Sequence, residues 1–537
     1  MSEFTAPVED ILFTLNRVAD AASLPGWEEG LAAEVLRQFS RFAEAELAPL
    51  NAPGDAAGCR VVGGRVLTPN GFRRAYRAYA AQGWPGLGLP ERWGGQGMPA
   101  ALEGGVCEIF AAANHALQMV CGLVPPAARA ILASGTEAQI ERYMPRLCSG
   151  EWLATMCLSE PQAGSDLGRI RTRAVRSGSD WRLKGEKIFV SGGDQDMSDG
   201  ILHLVLARTG DQESGSRGLS LFLCPSDDGD GRHDRIEVVR IEDKLGIHAS
   251  PTCQLTFDGA HAELLGQENE GLEAIFPMMN HARIDVALQG VAHAAQASSI
   301  AREYAAERRQ GRVPGEDSAV TIDQHGDVLR MLDEQQALLM TGRALCYTAL
   351  VSLDRGDNPG LVDFLTPICK FFGAEAGIRS ADLAIQVLGG YGYLREYRVE
   401  QILRDARITA LYEGTNGIQA MTLAGRLLRH QAGAAASAFG QWIGSLRKRA
   451  SGEIAGALGD VSALWSEALR KVSDRADPGA DANAFMQLTI CLARLGAWQL
   501  ILSQANADSF PPRAPKIAQR DVPRLRLAAR YWCGLII

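Results

Sequence analysis

The chain has 537 residues, 46% of them hydrophobic and 22% charged, with a net charge of −9; this is an ordinary globular balance with room for three or four domains. The acidic balance gives no support to a nucleic-acid or membrane-surface partner, though an anionic ligand depends only on local Arg and Lys placement. The 11 cysteines run from Cys59 to Cys533 without a CxxC pair, which predicts reduced thiols in a cytoplasmic protein, with no zinc ribbon and no metal site.

The first 17 residues, MSEFTAPVEDILFTLNR, carry acids where a signal peptide carries bases. No stretch approaches the 18 or so uninterrupted apolar residues of a membrane span, so a membrane is not expected as a partner. Residues 1–153 read as a helical domain, with helical spacing in WEEGLAAEVLRQFSRFAEAEL and a Gly-rich loop at GLPERWGGQGMPA. Residues 154–266 change to short β-branched and aromatic runs separated by Gly, Asp and Ser, the pattern of a mostly antiparallel β-domain. Residues 267–432 are helical again, and the run from Phe276 to Gly311 has no proline after Pro277. Residues 433–537 form an additional Ala- and Leu-rich helical module around the loop DRADPGADAN. The predicted fold class is therefore α+β, mostly α: an N-terminal helical domain, a middle antiparallel β-domain, a C-terminal four-helix bundle and an extra helical module.

Three segments carry candidate chemistry. MCLSEPQAGSDLGRIRT (Met156–Thr172) reads as a strand entering a Gly/Ser/Asp turn whose amides and hydroxyls can bind a polar ligand; alone, a solvated connector is the better reading. In KIFVSGG, strand alternation puts Phe189 and Ser191 on one side, a flat surface and a hydroxyl for one ligand; alone, a core Phe beside an edge Ser is the better reading. In QVLGGYGYLREYRVEQILRDARITALYEGTNGIQ, the glycines at 389, 390 and 392 allow close approach to a phosphate. They follow a helix, which argues against a Rossmann fingerprint. Glu413, between Tyr412 and Gly414, is presented at a chain break, where an isolated Glu is usually just solvated.

Together, in order and at similar spacing over about Gly83 to Leu428, these segments resemble the acyl-CoA dehydrogenase family. LSEPQAGSD resembles its first signature, and QVLGGYGY with YEGTNGIQ its second. IHASPTCQLTFDGA, MMNHARIDVALQG and ERRQGR resemble the branch of 3-methylmercaptopropionyl-CoA dehydrogenases, which carries an extra C-terminal helical domain; here that domain ends at RYWCGLII, shorter than the branch implies. The resemblance implies FAD as cofactor and Glu413 as the catalytic base. It implies flavin contacts for Met156, Leu158, Ser159, Phe189 and Ser191, and FAD contacts for Thr415 and Asn416. Arg308, Gln386, Gly389 and Gly390 would hold the FAD of a neighbouring subunit. Ser165 would contact CoA, and Asn280 and Arg283 the acyl-CoA; many relatives have an acid where Asn280 stands. His325-Gly326 and Gln310-Gly311 depart from the family pattern at the adenosine end. The implied partners are an acyl-CoA substrate, an electron-transfer flavoprotein, and further copies of the chain in a homodimer or homotetramer.

An α-proton beside a thioester is weakly acidic, so a carboxylate removes it only if the enolate is stabilised; burial should raise the pKa of Glu413 toward the working pH. Arg283 and Arg308 are 25 residues apart on one helix, roughly 37 Å, so one ligand end cannot reach both, which favours a second subunit's cofactor at Arg308. Two other readings stay open. An oxidase would pass electrons to oxygen. A flavin-bearing nucleic-acid- or protein-binding homologue would use Arg447, Lys448, Arg449, Arg513, Lys516, Arg520, Arg524, Arg526 and Arg530, a set that amphipathic helices more often carry as a solvated face.

Overall fold

The computed structural model describes residues 4–178, 180–226 and 235–536. Its contacts define two compact units that cut across the sequence zones. One holds the chain up to Phe42, Ala100–Ala112 and everything from Arg283 onward; the other holds Ala43–Pro99 and Ala113–Ala282. The chain passes from the first unit to the second within the helix Ala100–Cys121, next to a break at Asn114 (φ −159°, ψ 89°). Asn114 is buried there, with its side-chain carbonyl accepting from Leu117 N at 3.1 Å and its amide donating to Leu47 O at 3.2 Å. The side chain thus caps the restarted helix as an N-cap residue would.

The second unit is built on a sheet. A hairpin, β1 (Arg60–Val62) and β2 (Arg65–Leu67), precedes β3 (Trp152–Cys157), β4 (Arg173–Ser177), β5 (Asp180–Ser191), β6 (Gly200–Arg208), β7 (Leu219–Pro225), β8 (Ile236–Ile241) and β9 (Thr252–Leu265). Pairing runs β3-β6-β4-β5-β9-β7, with β8 on β9 and β6 also on β7, so β6, β4, β5, β9 and β7 close on themselves. Closure removes most free edges. Most pairs are antiparallel, as the short hairpin spacing predicts, but β3–β6 and the single β4–β6 pairing are parallel. β6 and β7 are buried along their whole length, which explains their unbroken apolar runs. Trp181, Leu183, Val205, Phe222, Leu255 and Phe257 form the interior.

The first unit is helical. Its long elements are the part of Gly271–Glu307 from Arg283 onward, Gly326–Arg355 and Pro359–Leu388, followed by the short helices Val399–Ala406 and Asn416–Met421. Two of the long helices touch backbone to backbone. A Cβ on Gly290 would lie 2.1 Å from Gly373 O, and one on Gly377 would lie 2.6 Å from Gly290 O. No larger residue fits this crossing, so the register of Pro359–Leu388 on Gly271–Glu307 is fixed.

Four helices end the chain: Ala434–Arg449, Gly452–Ser473, Ala482–Leu502 and Ala514–Gly534. Phe364, Phe439, Trp465 and Phe485 stack through them at ring distances of 5.0–6.3 Å. Asp333, on Gly326–Arg355, receives Arg513 at 2.7 Å and also Arg520. Ala100–Ser134 and Ala482–Leu502 are long and apolar enough to cross a membrane by length and composition. Their apolar stretches are 72% and 83% buried in the protein, so each is packed as a core element.

Candidate active site

The backbone around Glu413 is unusual before any chemistry is considered. Arg407–Ala410 is a 3-10 turn, after which Glu413 (φ +54°) and Gly414 (φ +82°) are both left-handed. A non-glycine residue held there costs about 1–2 kcal/mol, so the surroundings must enforce it. They do. Buried Gln419 donates its side-chain amide to Glu413 O at 3.0 Å and Gly414 O at 3.3 Å. Thr415 caps Asn416–Met421 by accepting from Ile418 N at 3.2 Å. The Tyr412 hydroxyl donates to Gln289 on Gly271–Glu307.

Glu413 is recessed yet solvent-reachable. Desolvation raises its pKa, while Arg283 and then Lys370 pull the other way, and the net direction is upward. Arg283 is buried, which pushes its guanidinium down; Glu413 supports its charge and Arg426 opposes it. Lys370 is fully buried and is pushed down to about 8, by desolvation first, with Glu413 raising it and Arg283 lowering it. The site thus holds one carboxylate and two cations with most of their water removed. Asp285, two residues beyond Arg283, lies roughly 200° around the same helix.

Thr415 and Asn416 are both engaged inside this unit: Thr415 in the cap, and Asn416 between Lys370 Nζ (3.3 Å to Oδ1) and Glu375 (2.9 Å from Nδ2). Arg308, Gly389 and Gly390 come together around a groove of about 670 Å³, with Tyr304, His325 and Tyr391 among its other walls. Tyr304, Tyr391 and Tyr397 pack at 5.3–6.3 Å, and the Arg308 guanidinium lies 5.7 Å from the Tyr391 ring. A Cβ on Gly389 or Gly390 would meet nothing within 4 Å, so the groove floor is bare backbone. That is the shape and charge for a planar group with a phosphate. The two departures from the family pattern meet there, with His325 Nε2–H donating to Gln310 O at 2.7 Å. Gln386 is exposed one turn before the glycines, outside the groove lining.

In the other unit, Met156, Leu158 and Ser159 lead from β3 into the signature turn, beside Phe189 and Ser191 on β5. Ile188 N donates to Ser159 O and Lys187 Nζ to Leu158 O, each at 2.9 Å. Simple alternation does not set the direction of Phe189. A bulge between Lys187 and Val190 breaks the register, and Phe189 sits at φ +57°. In phase with buried Trp181, Leu183 and Lys187, Phe189 would point inward; after the bulge Val190 is buried and Phe189 is 63% exposed. Ser191 is half-buried, Ser165 is exposed in the turn, and Asn280 is half-buried on Gly271–Glu307. A large aromatic held outward in strained backbone, two residues before the Ser191 hydroxyl, is a fitting platform for a flat ring.

Four functional residues were not anticipated. Glu160 and Lys187 form an ion pair at 2.8 Å with side chains 2% and 0% exposed. Glu160 also accepts from Arg171 N and Thr172 N, so it closes the signature turn onto β5. Gln419 donates to the backbone of the Glu413 turn, and Lys370 donates to Asn416, three residues beyond Glu413. A lone Lys inside the apolar run ICKFFGA was the one signal available for Lys370.

The family models for the acyl-CoA dehydrogenase N-terminal, middle and C-terminal domains match residues 32–151, 155–260 and 269–428. The 3-methylmercaptopropionyl-CoA dehydrogenase of Ruegeria pomeroyi is 37% identical over 540 residues, covering 94% of this chain and 92% of its own length. A chain in the structure of the electron transferring flavoprotein of Acidaminococcus fermentans superposes with TM-score 0.65 at 27% identity, covering 74% of this chain and 98% of its own. Caenorhabditis elegans ACDH-11, solved with C11-CoA, superposes over 100% of this chain and 93% of its own with TM-score 0.78; at 22% identity it shows the fold alone. The three model matches run in order across more than half the chain, and the two signatures fall inside them. The chain therefore belongs to the acyl-CoA dehydrogenase family of FAD-dependent oxidoreductases acting on CH–CH groups.

Proposed function

We propose that the chain oxidises the Cα–Cβ bond of an acyl-CoA thioester to the trans-2-enoyl-CoA, with Glu413 as the base. The observation that carries this reading is the recessed carboxylate, held in left-handed backbone between two buried cations. Desolvation makes the carboxylate a stronger base, and the cations keep enough of it ionised to act. Glu413 takes the α-proton on a carboxylate oxygen. Ser165, Asn280 and Arg283 would position the acyl-CoA. Met156, Leu158, Ser159, Phe189 and Ser191 would hold the ring of FAD; Thr415 and Asn416 would support it, and Arg308, Gln386, Gly389 and Gly390 would take a neighbouring subunit's adenosine end. Bound FAD supplies the acceptor for the β-hydrogen, which leaves as hydride.

The acyl group is short or sulfur-bearing in this reading, supported by the similarity to the Ruegeria pomeroyi enzyme. Electrons pass to an electron-transfer flavoprotein, supported by the likeness to the Acidaminococcus fermentans structure. The reading places the protein in the cytoplasm as a homodimer or homotetramer. Against the nucleic-acid alternative, Arg513 and Arg520 are paired with Asp333, and Arg526 and Arg530 with Asp460. The test is an anaerobic screen of acyl-CoA thioesters with an artificial electron acceptor. Turnover with one class of acyl chain is expected; oxygen consumption with acyl-CoA alone would make the chain an oxidase, and no turnover with any thioester would end the proposal.

Two further outcomes follow from the geometry. Arg308→Ala should yield protein that melts near the wild-type temperature but has lost most of its flavin, read from the ratio of 450 nm to protein absorbance. Full flavin content in this variant, or in a monomeric wild-type preparation, would remove Arg308 from the site. The raised pKa of Glu413 gives the pH dependence a sign: the ionised, active form appears only above that pKa. The rate of flavin bleaching should therefore climb with pH through a midpoint above the ordinary Glu value of about 4.3. A rate already at its plateau near pH 5 would contradict it.

A further inference from the structure

Lys370 is a cation where an apolar residue would be expected. Ile368, Cys369, Phe371 and Phe372 around it in sequence are all buried, and Lys370 is itself 0% exposed. Burying an ammonium carries a large desolvation penalty, which a methionine of similar length would avoid. The helix crossing fixes where this ammonium sits. Gly373 packs on Ala287, and Gly377 on Gly290; one turn earlier, Lys370 comes level with Arg283 and Ile284.

From there Lys370 Nζ donates to Asn416 Oδ1 at 3.3 Å, and Asn416 Nδ2 donates to Glu375 Oε1 at 2.9 Å. One stretch of Pro359–Leu388 therefore grips both ends of the Asn416 side-chain amide. Asn416 opens the helix Asn416–Met421, three residues after Glu413 and two after left-handed Gly414. A clamp on Asn416 limits how the Glu413 turn can rotate.

We propose that Lys370 is a positioning residue for Glu413: through Asn416 it fixes the turn that presents the carboxylate, and it supplies a buried positive charge to that site. The inference rests on the reading of Glu413 as the base. Arg283 from Gly271–Glu307 and Lys370 from Pro359–Leu388 face Glu413. Glu413, Arg283 and Glu375 face Lys370. Arg283 is faced in turn by Arg426, and Tyr412, beside Glu413, by Cys107 and Asp405. At about 8, Lys370 is still largely protonated at pH 7. Removing its charge leaves Arg283, among the described residues, to offset the desolvation of Glu413, so the carboxylate should take up its proton at higher pH.

The experiment uses flavin-loaded protein and anaerobic single-turnover bleaching by acyl-CoA across pH 5.5–9. A parallel readout is the acyl-CoA Kd from the binding perturbation of the flavin spectrum. Lys370→Gln keeps a donor for Asn416 but removes the charge; Lys370→Arg keeps the charge. The acid limb for Lys370→Gln should move up by about one pH unit, with Kd within about twofold of wild type. Lys370→Arg should return the limb toward wild type. If Lys370→Gln does not accumulate with flavin, Lys370→Met fills the same apolar site with no polar group to satisfy and takes its place. A limb that does not move without the charge overturns the proposal, and so does an equal shift in Lys370→Arg, since packing alone would then explain it. Glu413→Gln separates the two ideas: if it bleaches at the wild-type rate the base reading itself fails, whereas an inert Glu413→Gln with an unmoved Lys370→Gln limb sinks only the role of Lys370.

Discussion

Glu413→Gln is expected to keep flavin and acyl-CoA bound and to slow flavin bleaching by at least about 10² to 10⁴-fold, the usual contribution of a positioned base. The glutamine amide has nearly the same shape, and the turn that holds it does not depend on the charge. Gln419 and Thr415 act on backbone groups, and Tyr412 on Gln289. The loss should therefore fall on the chemical step, with kcat falling and Kd for acyl-CoA little changed. Rapid anaerobic mixing reads this directly: wild type bleaches, and the variant shows only a binding perturbation. A variant bleaching near the wild-type rate would put the base elsewhere. Asp285 is an acid on the same long helix as Arg283, and its direction, roughly 200° away from Arg283, makes it a poor replacement.

Much of the fold could be read from periodicity. The switch from helical spacing to short β-branched runs near residue 154, and back near 267, follows from which faces are buried. β6 and β7 read as unbroken apolar runs because both are buried throughout. What escaped depends on partners distant in the chain. Asn114 breaks a helix where Leu47 O, far away in the chain, receives its amide. Gly290 looks like an ordinary weak point in a helix until Gly373 is found against it. Phe189 reaches solvent because of a bulge, and period-two reasoning has no means of placing an extra residue.

The candidate site divides in the same way. Glu413 and the groove glycines are local features, a carboxylate at a chain break and small residues after a helix. Lys370, Glu160 and Lys187 are charges whose meaning depends on burial. In a strand pattern Lys187 reads as a surface residue, and only its 0% exposure against Glu160 reveals the clamp on the signature turn. A charge within an apolar run therefore merits suspicion before any coordinates exist.

The largest stability effect is expected at Glu108. Its carboxylate is fully buried on Ala100–Cys121 and takes Arg343 Nε at 2.9 Å, Arg343 Nη2 at 2.6 Å and the Tyr347 hydroxyl at 2.9 Å. Arg343 is 3% exposed. Desolvation works against its guanidinium, but Glu108 and Asp10 outweigh that and leave its pKa raised. Arg343 therefore stays charged in the fold at any ordinary pH, and removing Glu108 leaves a buried cation short of its counter-ion. Breaking such a pair from one side costs about 3–5 kcal/mol. Glu108→Gln should lower the thermal midpoint by about 3–4 °C, read by circular dichroism on flavin-loaded protein. The triple variant Glu108→Leu/Arg343→Met/Tyr347→Phe removes both charges and the hydroxyl bonded to Glu108, and should recover most of the loss, because apolar packing can replace a buried ion pair at little cost. Were Glu108→Gln to melt within a degree or two of wild type, water or another acid would have to reach Arg343. Asp10, 3.7 Å from Arg343 Nη1 with its own side chain 61% exposed, would then be the group to examine.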